Sequence, residues 1–211
     1  MENRIIKFNN KPNDHVTYSF NSPSTGIKVK QDFWVSRSAA IDVLVLARCK
    51  EIENNDWMIL TIKRSKTMRD DPNKTAVPSG YMDWDEDGYE AMLRELYEET
   101  SLYLPDFNSF NVFDNQKQPF LTLTKPTINR QNIVLLYMTV LNFDDKSQEF
   151  PWFVESYKDK ETADVKWMTY FDFLTTKREW AFNHDKRIND ALLYYEKGRF
   201  DINGFYKGLI L

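Results

Sequence analysis

The sequence predicts an α/β fold in which a mixed β-sheet is packed between α-helices, and three observations predict it. Two strongly apolar segments, Ala39–Ala47 and Ile133–Leu141, read as buried strands. Between them Gly88–Thr100 lacks proline and is rich in Ala, Leu, Met, Glu and Arg, which favour helix. A second helical stretch follows the later strands, so the order is strands, helix, strands, helix, and a sheet with helices on it accommodates that order.

Residues 1–25 are polar, with Pro12 and Pro23, and predict a short strand around Val16–Phe20. Ile27–Val35 alternates as a strand does. Ala39–Ala47 and Trp57–Lys63 flank a polar turn, so a hairpin is expected. Ser65–Thr75 is charged and irregular, as in a long surface loop. Pro78-Ser79-Gly80 punctuates the chain before the helix. Asp87 stands three residues before Glu90, which is capping-box spacing. Pro105 ends any continuation of that helix. Leu121–Leu123 reads as a short strand and Asp164–Tyr170 as a longer one. Asp185 is the candidate cap of a last helix, Lys186–Lys197, whose Ile188, Leu192 and Tyr195 share a face before Gly198. The expected organisation is an N-terminal extension over 1–35 packed on the domain, a main domain over 36–200 and a tail over 201–211.

The chain's 211 residues suffice for one sizeable core. Its 32 acidic and 28 basic residues leave a mild negative excess, which argues against a general nucleic-acid surface. One cysteine, Cys49, cannot staple the fold and favours a cytoplasmic location; a strand residue is the simpler reading of it than a nucleophile. Two histidines, His15 and His184, cannot build a His/Cys metal cluster. No signal-peptide pattern or transmembrane-length apolar run is present, so no membrane partner is expected.

The informative stretch is residues 78–102. On a helical wheel Glu95 and Glu99 stack on one side, with Glu98 at its edge and Ala91 one turn back. Tyr89, Leu93, Leu96 and Thr100 form the side expected against the sheet, leaving the acidic side open to a cleft. Like charges at these spacings destabilise a helix by roughly 0.2–0.5 kcal/mol per pair, and a cation between them reverses the sign. Carboxylate oxygens are hard ligands suited to Mg²⁺ or Mn²⁺. Arg94 has a fork that can hold Glu90 or Glu98. Glutamate-rich helices are common, however, and three glutamates beside an arginine are as a rule a solvated face.

At these residues the sequence resembles the Nudix hydrolase family. The family pattern is Gly, five residues, Glu, seven residues, Arg-Glu, an aliphatic residue, any residue, Glu-Glu, any residue, Gly and an aliphatic residue. It is met here by Gly80, Glu86, Arg94, Glu95, Leu96, Glu98, Glu99 and Leu102, with Ser101 in place of the last glycine. Pro78-Ser79-Gly80 resembles the family's entry to the motif, Asp164–Trp167 a late strand, and Ala181–Leu192 the final helix. The resemblance covers roughly residues 36–197 and implies the Nudix fold and hydrolysis of a diphosphate linkage. It implies Glu95 and Glu99 as principal Mg²⁺ (or Mn²⁺) ligands, Glu98 as ligand or catalytic carboxylate, and Arg94 as the residue that positions a catalytic carboxylate. Glu86 and Ser79 would support the site, and Gly80 would supply backbone geometry and a carbonyl ligand.

The general base is expected on a late loop, where Glu161 is the candidate, with Glu155 behind it and Glu98 as fallback; Glu161 also reads as an ordinary solvated residue of a charged run. Ser101 is expected to cost about 1 kcal/mol if it keeps the glycine's left-handed conformation. Arg64 and Arg130 are candidate substrate contacts, against simpler roles at a strand end and a loop. Tyr81, Trp84, Phe113, Phe120 and Trp152 are aromatic candidates for stacking on a base, with a core role the commoner use. Pro119, seventeen residues past Leu102, resembles a feature of members that cleave ADP-ribose. The favoured substrate is therefore a nucleoside diphosphate derivative, ADP-ribose or a nucleotide sugar. Nucleoside triphosphates and dinucleoside polyphosphates are alternatives, as is a non-catalytic ligand-sensing regulator. An isoprenoid diphosphate isomerase needs a pocket cysteine, which Cys49 at the far end of its strand does not offer. A homodimer is the expected assembly by family resemblance.

Overall fold

The computed structural model describes residues 14–35, 38–48, 57–83, 85–107, 117–125, 132–142, 150–151, 154–155, 160–175 and 177–196. Backbone contacts divide the chain into two units, Met1–Ser38 and Ala39–Leu211. In the first, β1 (Asp14–Asn21) and β2 (Lys28–Val35) form an antiparallel ribbon. Gly26 takes φ 68° in the connecting turn, a conformation that suits glycine, and its N–H donates to the Ser22 carbonyl at 2.8 Å. Val16, Tyr18 and Phe20 alternate along β1 and are exposed on one face of the ribbon.

In the second unit β3 (Ala39–Arg48) is central. It pairs in parallel with β8 (Ile133–Asn142) along its whole length. On its other edge it pairs antiparallel with β6 (Ser79–Tyr81) at its start and β4 (Trp57–Arg64) at its end. β4 also takes β5 (Thr75–Ala76) and β9 (Thr162–Thr169), and β8 takes β7 (Leu121–Leu123). The described residues thus contain a mixed seven-stranded sheet.

Helices cover both faces. Ile41, Val43 and Val45 of β3 join Ala91, Met92 and Leu96 of α1 (Gly88–Thr100). The alternate residues Leu44 and Leu46 join Ile188, Ala191 and Leu192 of α3 (His184–Glu196), with Phe173 of α2 (Tyr170–Thr175) beside them. Burial on both sides is why Ala39–Ala47 reads as one apolar run instead of an alternating one. The exception in that run, Asp42, is itself buried.

The structure departs from the sequence reading where elements are short or begin early. β5, β6 and α2 were not anticipated, and each is six residues or fewer. β9 starts at Thr162, and Tyr170 opens α2 rather than closing the strand. α3 starts at His184, so Asp185 lies in its first turn and not at its cap; Phe182 and Asn183, both at positive φ, turn the chain into it. Pro105 falls inside a short 3-10 turn, Leu104–Phe107. Cys49 and Gly198 lie outside the described residues. No helix among the described residues is long and apolar enough to cross a membrane.

Candidate active site

The site is built on α1. Asp87 Oδ1 accepts from the Tyr89 and Glu90 amides at 2.9 Å each, and the Glu90 carboxylate accepts from the Asp87 amide at 2.9 Å. This capping box fixes the start of the helix and hence the angular position of every glutamate after it. At the other end Ser101 adopts φ 58° and ψ 10°, the left-handed conformation expected of the replaced glycine, and its N–H donates to the Tyr97 carbonyl. Its hydroxyl donates to the Glu155 carbonyl at 2.8 Å, an attachment glycine does not make.

The acidic side of the helix does not open fully to a cleft, and this corrects the expectation. Ala91 is wholly buried, Met92 is buried although it was not anticipated, and Leu93 is only half-buried. Glu99 and Glu95 turn inward, 4% and 12% exposed, beside the buried Leu96 and Thr100, while Glu98 at the edge of the stripe stays exposed. The physical reason is the Ser79–Gly80 backbone. The Ser79 amide donates to Glu99 Oε2 at 2.7 Å, and the Thr162 hydroxyl reaches Glu99 Oε1 at 3.4 Å. Gly80 presents bare backbone to the Glu95 carboxyl group, filling the place where a Cβ would stand.

Arg94 gathers the remaining acids. Its Nε donates to Glu86 Oε2 at 2.9 Å and its Nη2 to Glu86 Oε1, a two-point fork. Its Nη1 donates to Glu95 Oε1 at 2.8 Å and to Glu98 Oε2 at 3.3 Å, and its Nη2 to the Tyr81 carbonyl at 2.9 Å. Hydrogen bonding to Arg94 holds the Glu86 carboxyl below its usual range. The Glu95 carboxyl is pushed up to about 7, chiefly by burial, with Glu98 and Glu86 adding repulsion and Arg94 opposing both.

The structure therefore brings Ser79, Gly80, Glu86, Arg94, Glu95, Glu98 and Glu99 together. Glu161 is exposed, but its carbonyl accepts from the Ser65 amide at 2.6 Å and its neighbour Thr162 touches Glu99, so the start of β9 borders the cluster. Glu155 meets the helix end through its backbone. Arg64 is held elsewhere: it is buried, donates twice to the Asp70 carbonyl at 3.0 and 3.2 Å, and lies over the Phe182 ring. Arg130, Trp84, Phe113 and Trp152 lie outside the described residues. The sequence reading missed Thr162 and the Tyr81 carbonyl, since neither residue type at those positions carries a signal.

The carboxylate oxygens of Glu95, Glu98 and Glu99 are hard donors that suit a divalent cation, and the Ser79 and Gly80 backbone adjoins Glu99 and Glu95. Among the described residues no three acidic or imidazole side chains already converge as the ligands of one ion. Arg94 supplies the positive charge among them here. Burial raises the Glu95 carboxyl even with the Arg94 guanidinium beside it, and a further positive charge would act against that rise.

Comparison with known proteins agrees with the fold. The family model described as NUDIX domain matches residues 37–190. A MutT/nudix family protein from Enterococcus faecalis superposes with TM-score 0.59 at 16% identity, over 82% of this chain and 67% of that one. The NUDIX domain of NrtR from Shewanella oneidensis, solved with ADP ribose, superposes with TM-score 0.54 at 15% identity, over 76% and 90% of the two chains. A human relative, the m7GpppN-mRNA hydrolase NUDT17, is 25% identical over 101 residues, which is 46% of this chain and 30% of that protein. The match thus spans under a third of that relative's length.

Proposed function

The chain belongs to the NUDIX domain family, and from that premise we propose that it is a divalent-cation-dependent pyrophosphohydrolase that cleaves the diphosphate linkage of a nucleoside diphosphate derivative. One observation carries this reading: two glutamates one helical turn apart, the buried Glu99 and the largely covered Glu95, lie against the Ser79–Gly80 backbone, where a solvated ion-pair face would not be.

In the proposed reaction Glu95, Glu98 and Glu99 would hold Mg²⁺ or Mn²⁺, and a carbonyl of the Gly80 turn would complete the set. When bound, the ion lowers the pKa of water and neutralises charge on phosphoryl oxygens. The Ser79 amide and the Thr162 hydroxyl orient Glu99, so its two oxygens are set before substrate arrives. Arg94 restrains Glu95 and Glu98 and is itself restrained by Glu86. Water attacks one phosphorus, its oxygen forming the new P–O bond while the bridging P–O bond breaks and its electron pair leaves on the departing phosphate. Glu161, at the edge of the cluster, accepts the water's proton.

ADP-ribose is the first substrate we propose. Its support is the NrtR domain of the same fold, which was captured with ADP ribose. Capped or polyphosphate nucleotides follow, on the strength of the human relative. Homodimer formation is the proposed assembly, supported by the exposed Val16, Tyr18 and Phe20 on one face of β1. Cytoplasmic residence rests on the single cysteine.

A product-identification screen tests the reading. ADP-ribose, nucleotide sugars, dinucleoside polyphosphates and triphosphates are incubated with Mg²⁺ or Mn²⁺, beside a Glu99→Gln control. Cleavage of a diphosphate bridge that depends on the cation and is lost in Glu99→Gln is expected. Full turnover by Glu99→Gln would overturn the assignment of these glutamates.

A further inference from the structure

Outside the site, the most fully buried titratable side chain among the described residues is at the N-terminus of α3. His184 has no exposed surface. Its Nδ1 accepts the Val77 amide at 3.0 Å, which places the ring's proton on Nε2. Nε2 lies 3.6 Å from Asp42 Oδ1, and Arg187 pairs with the other oxygen of Asp42. Asp42 is the Cα partner of Ser79, and the Val43 amide donates to the Pro78 carbonyl at 2.8 Å. Val77, Pro78 and Ser79 are therefore each fixed from β3 or α3, and the Ser79 amide then points at Glu99. Burying an aspartate, a histidine and part of an arginine to hold three backbone residues is costly, and an apolar set would satisfy packing alone.

We propose that His184 is a positioning residue of the active site: together with the Asp42–Arg187 pair it fixes the Val77–Gly80 segment so that the Ser79 amide holds the Glu99 carboxylate. The chain of contacts runs from α3 through the sheet to α1, and Glu99 supplies its one side-chain ligand. Burial and the nearby Arg64 charge push His184 down to about 3, opposed by Asp185 and Asp71, so the neutral form that can accept from Val77 persists across working pH. The inference rests on the reading of Glu99 as a metal ligand for its consequence, but not for its geometry.

The experiment uses the full metal-free chain labelled with ¹⁵N. In the wild type the imidazole nitrogens report the tautomer, and hydrogen exchange reports the Ser79 amide. We expect His184 as the Nε2–H tautomer and a protected Ser79 amide. His184→Leu removes the acceptor, and Ser79 exchange should accelerate. Mn²⁺ affinity read by electron paramagnetic resonance should fall by roughly tenfold or more, as for other residues that orient a ligand. His184→Asn keeps an acceptor close to the Nδ1 position and should stay near wild type in both. An Nδ1–H tautomer in the wild type overturns the proposal. So does unaltered Ser79 exchange in His184→Leu or, should that variant not fold, faster exchange in a folded His184→Asn. Unchanged Mn²⁺ binding in Glu99→Gln would instead overturn the metal reading, leaving the positioning role to be decided by Ser79 exchange alone.

Discussion

Gly80 and Glu95 fit together only because residue 80 has no side chain: a Cβ built there would overlap all three atoms of the Glu95 carboxyl group. Gly80 is not among the residues at positive φ, so space and not backbone conformation demands glycine. The atoms that would be met are the far end of a flexible side chain. Gly80→Ala should therefore fold, with a melting temperature close to wild type, while Glu95 swings away. We expect Mn²⁺ affinity and turnover to fall by roughly 10–100-fold. Wild-type metal affinity in Gly80→Ala would show that the Glu95 carboxylate is not needed where the structure puts it.

Arg94 meets Glu86 through two nitrogens and Glu95 and Glu98 through a third, a geometry that a lysine ammonium cannot reproduce. Arg94→Lys keeps the charge and loses the fork. Its kcat is expected to drop by roughly tenfold or more with KM little changed, because the variant disturbs how the carboxylates are aimed, not how substrate is held. Glu86→Gln should show the same pattern in weaker form, since one oxygen can still accept. Steady-state kinetics on both variants check this, and a rise in KM alone would assign Arg94 to substrate binding instead.

The sequence made the helix legible to the residue, because the capping box at Asp87 and the propensity of Gly88–Thr100 are local signals. The long apolar strands were legible for the same reason: double-sided burial writes itself as an unbroken run. What was not legible is tertiary. The rotation of α1 that buries Glu99 depends on the Ser79 amide, which belongs to a three-residue strand with no periodicity to read. Arg64 reads as a candidate substrate contact or a solvated strand end, yet it is used inside, over Phe182 and against the Asp70 carbonyl, partners it meets only in the fold. His184 carried no chemical signal as one of two histidines, and only the Val77 amide across the sheet reveals its use.

Ser101 keeps the left-handed conformation of the glycine it replaces and recovers part of the cost through its hydroxyl bond to Glu155. The strain is about 1 kcal/mol and the hydrogen bond is worth about 0.5–1.5 kcal/mol. Ser101→Gly removes both and should leave stability nearly unchanged. Ser101→Ala keeps the strain and loses the bond, so it should be less stable than Ser101→Gly by about 1 kcal/mol or more. Urea unfolding of the three proteins decides it, and equal midpoints for the Ala and Gly variants would contradict the conformation at this position.

The pH dependence of stability should carry the signature of His184. The groups around it are Asp42 on β3, Arg64 on β4, Asp71 in the following loop, and Asp185 and Arg187 on α3. In the folded chain its pKa falls from 6.5 to about 3, because burial and Arg64 outweigh Asp185 and Asp71. Between those values the unfolded chain binds a proton that the folded chain does not. The stabilisation is thus fully present above about pH 6.5 and is lost as pH falls towards 3, by about 1.4 kcal/mol per pH unit. Glu95, raised to about 7, acts with the opposite sign: its buried carboxyl favours the folded state as pH falls through 7. Comparing wild type with His184→Asn cancels that second contribution. In metal-free buffer the wild type should lose about 2 kcal/mol more than His184→Asn between neutral pH and about pH 5. Parallel losses in the two proteins would mean that His184 is protonated in the folded state and does not accept from Val77.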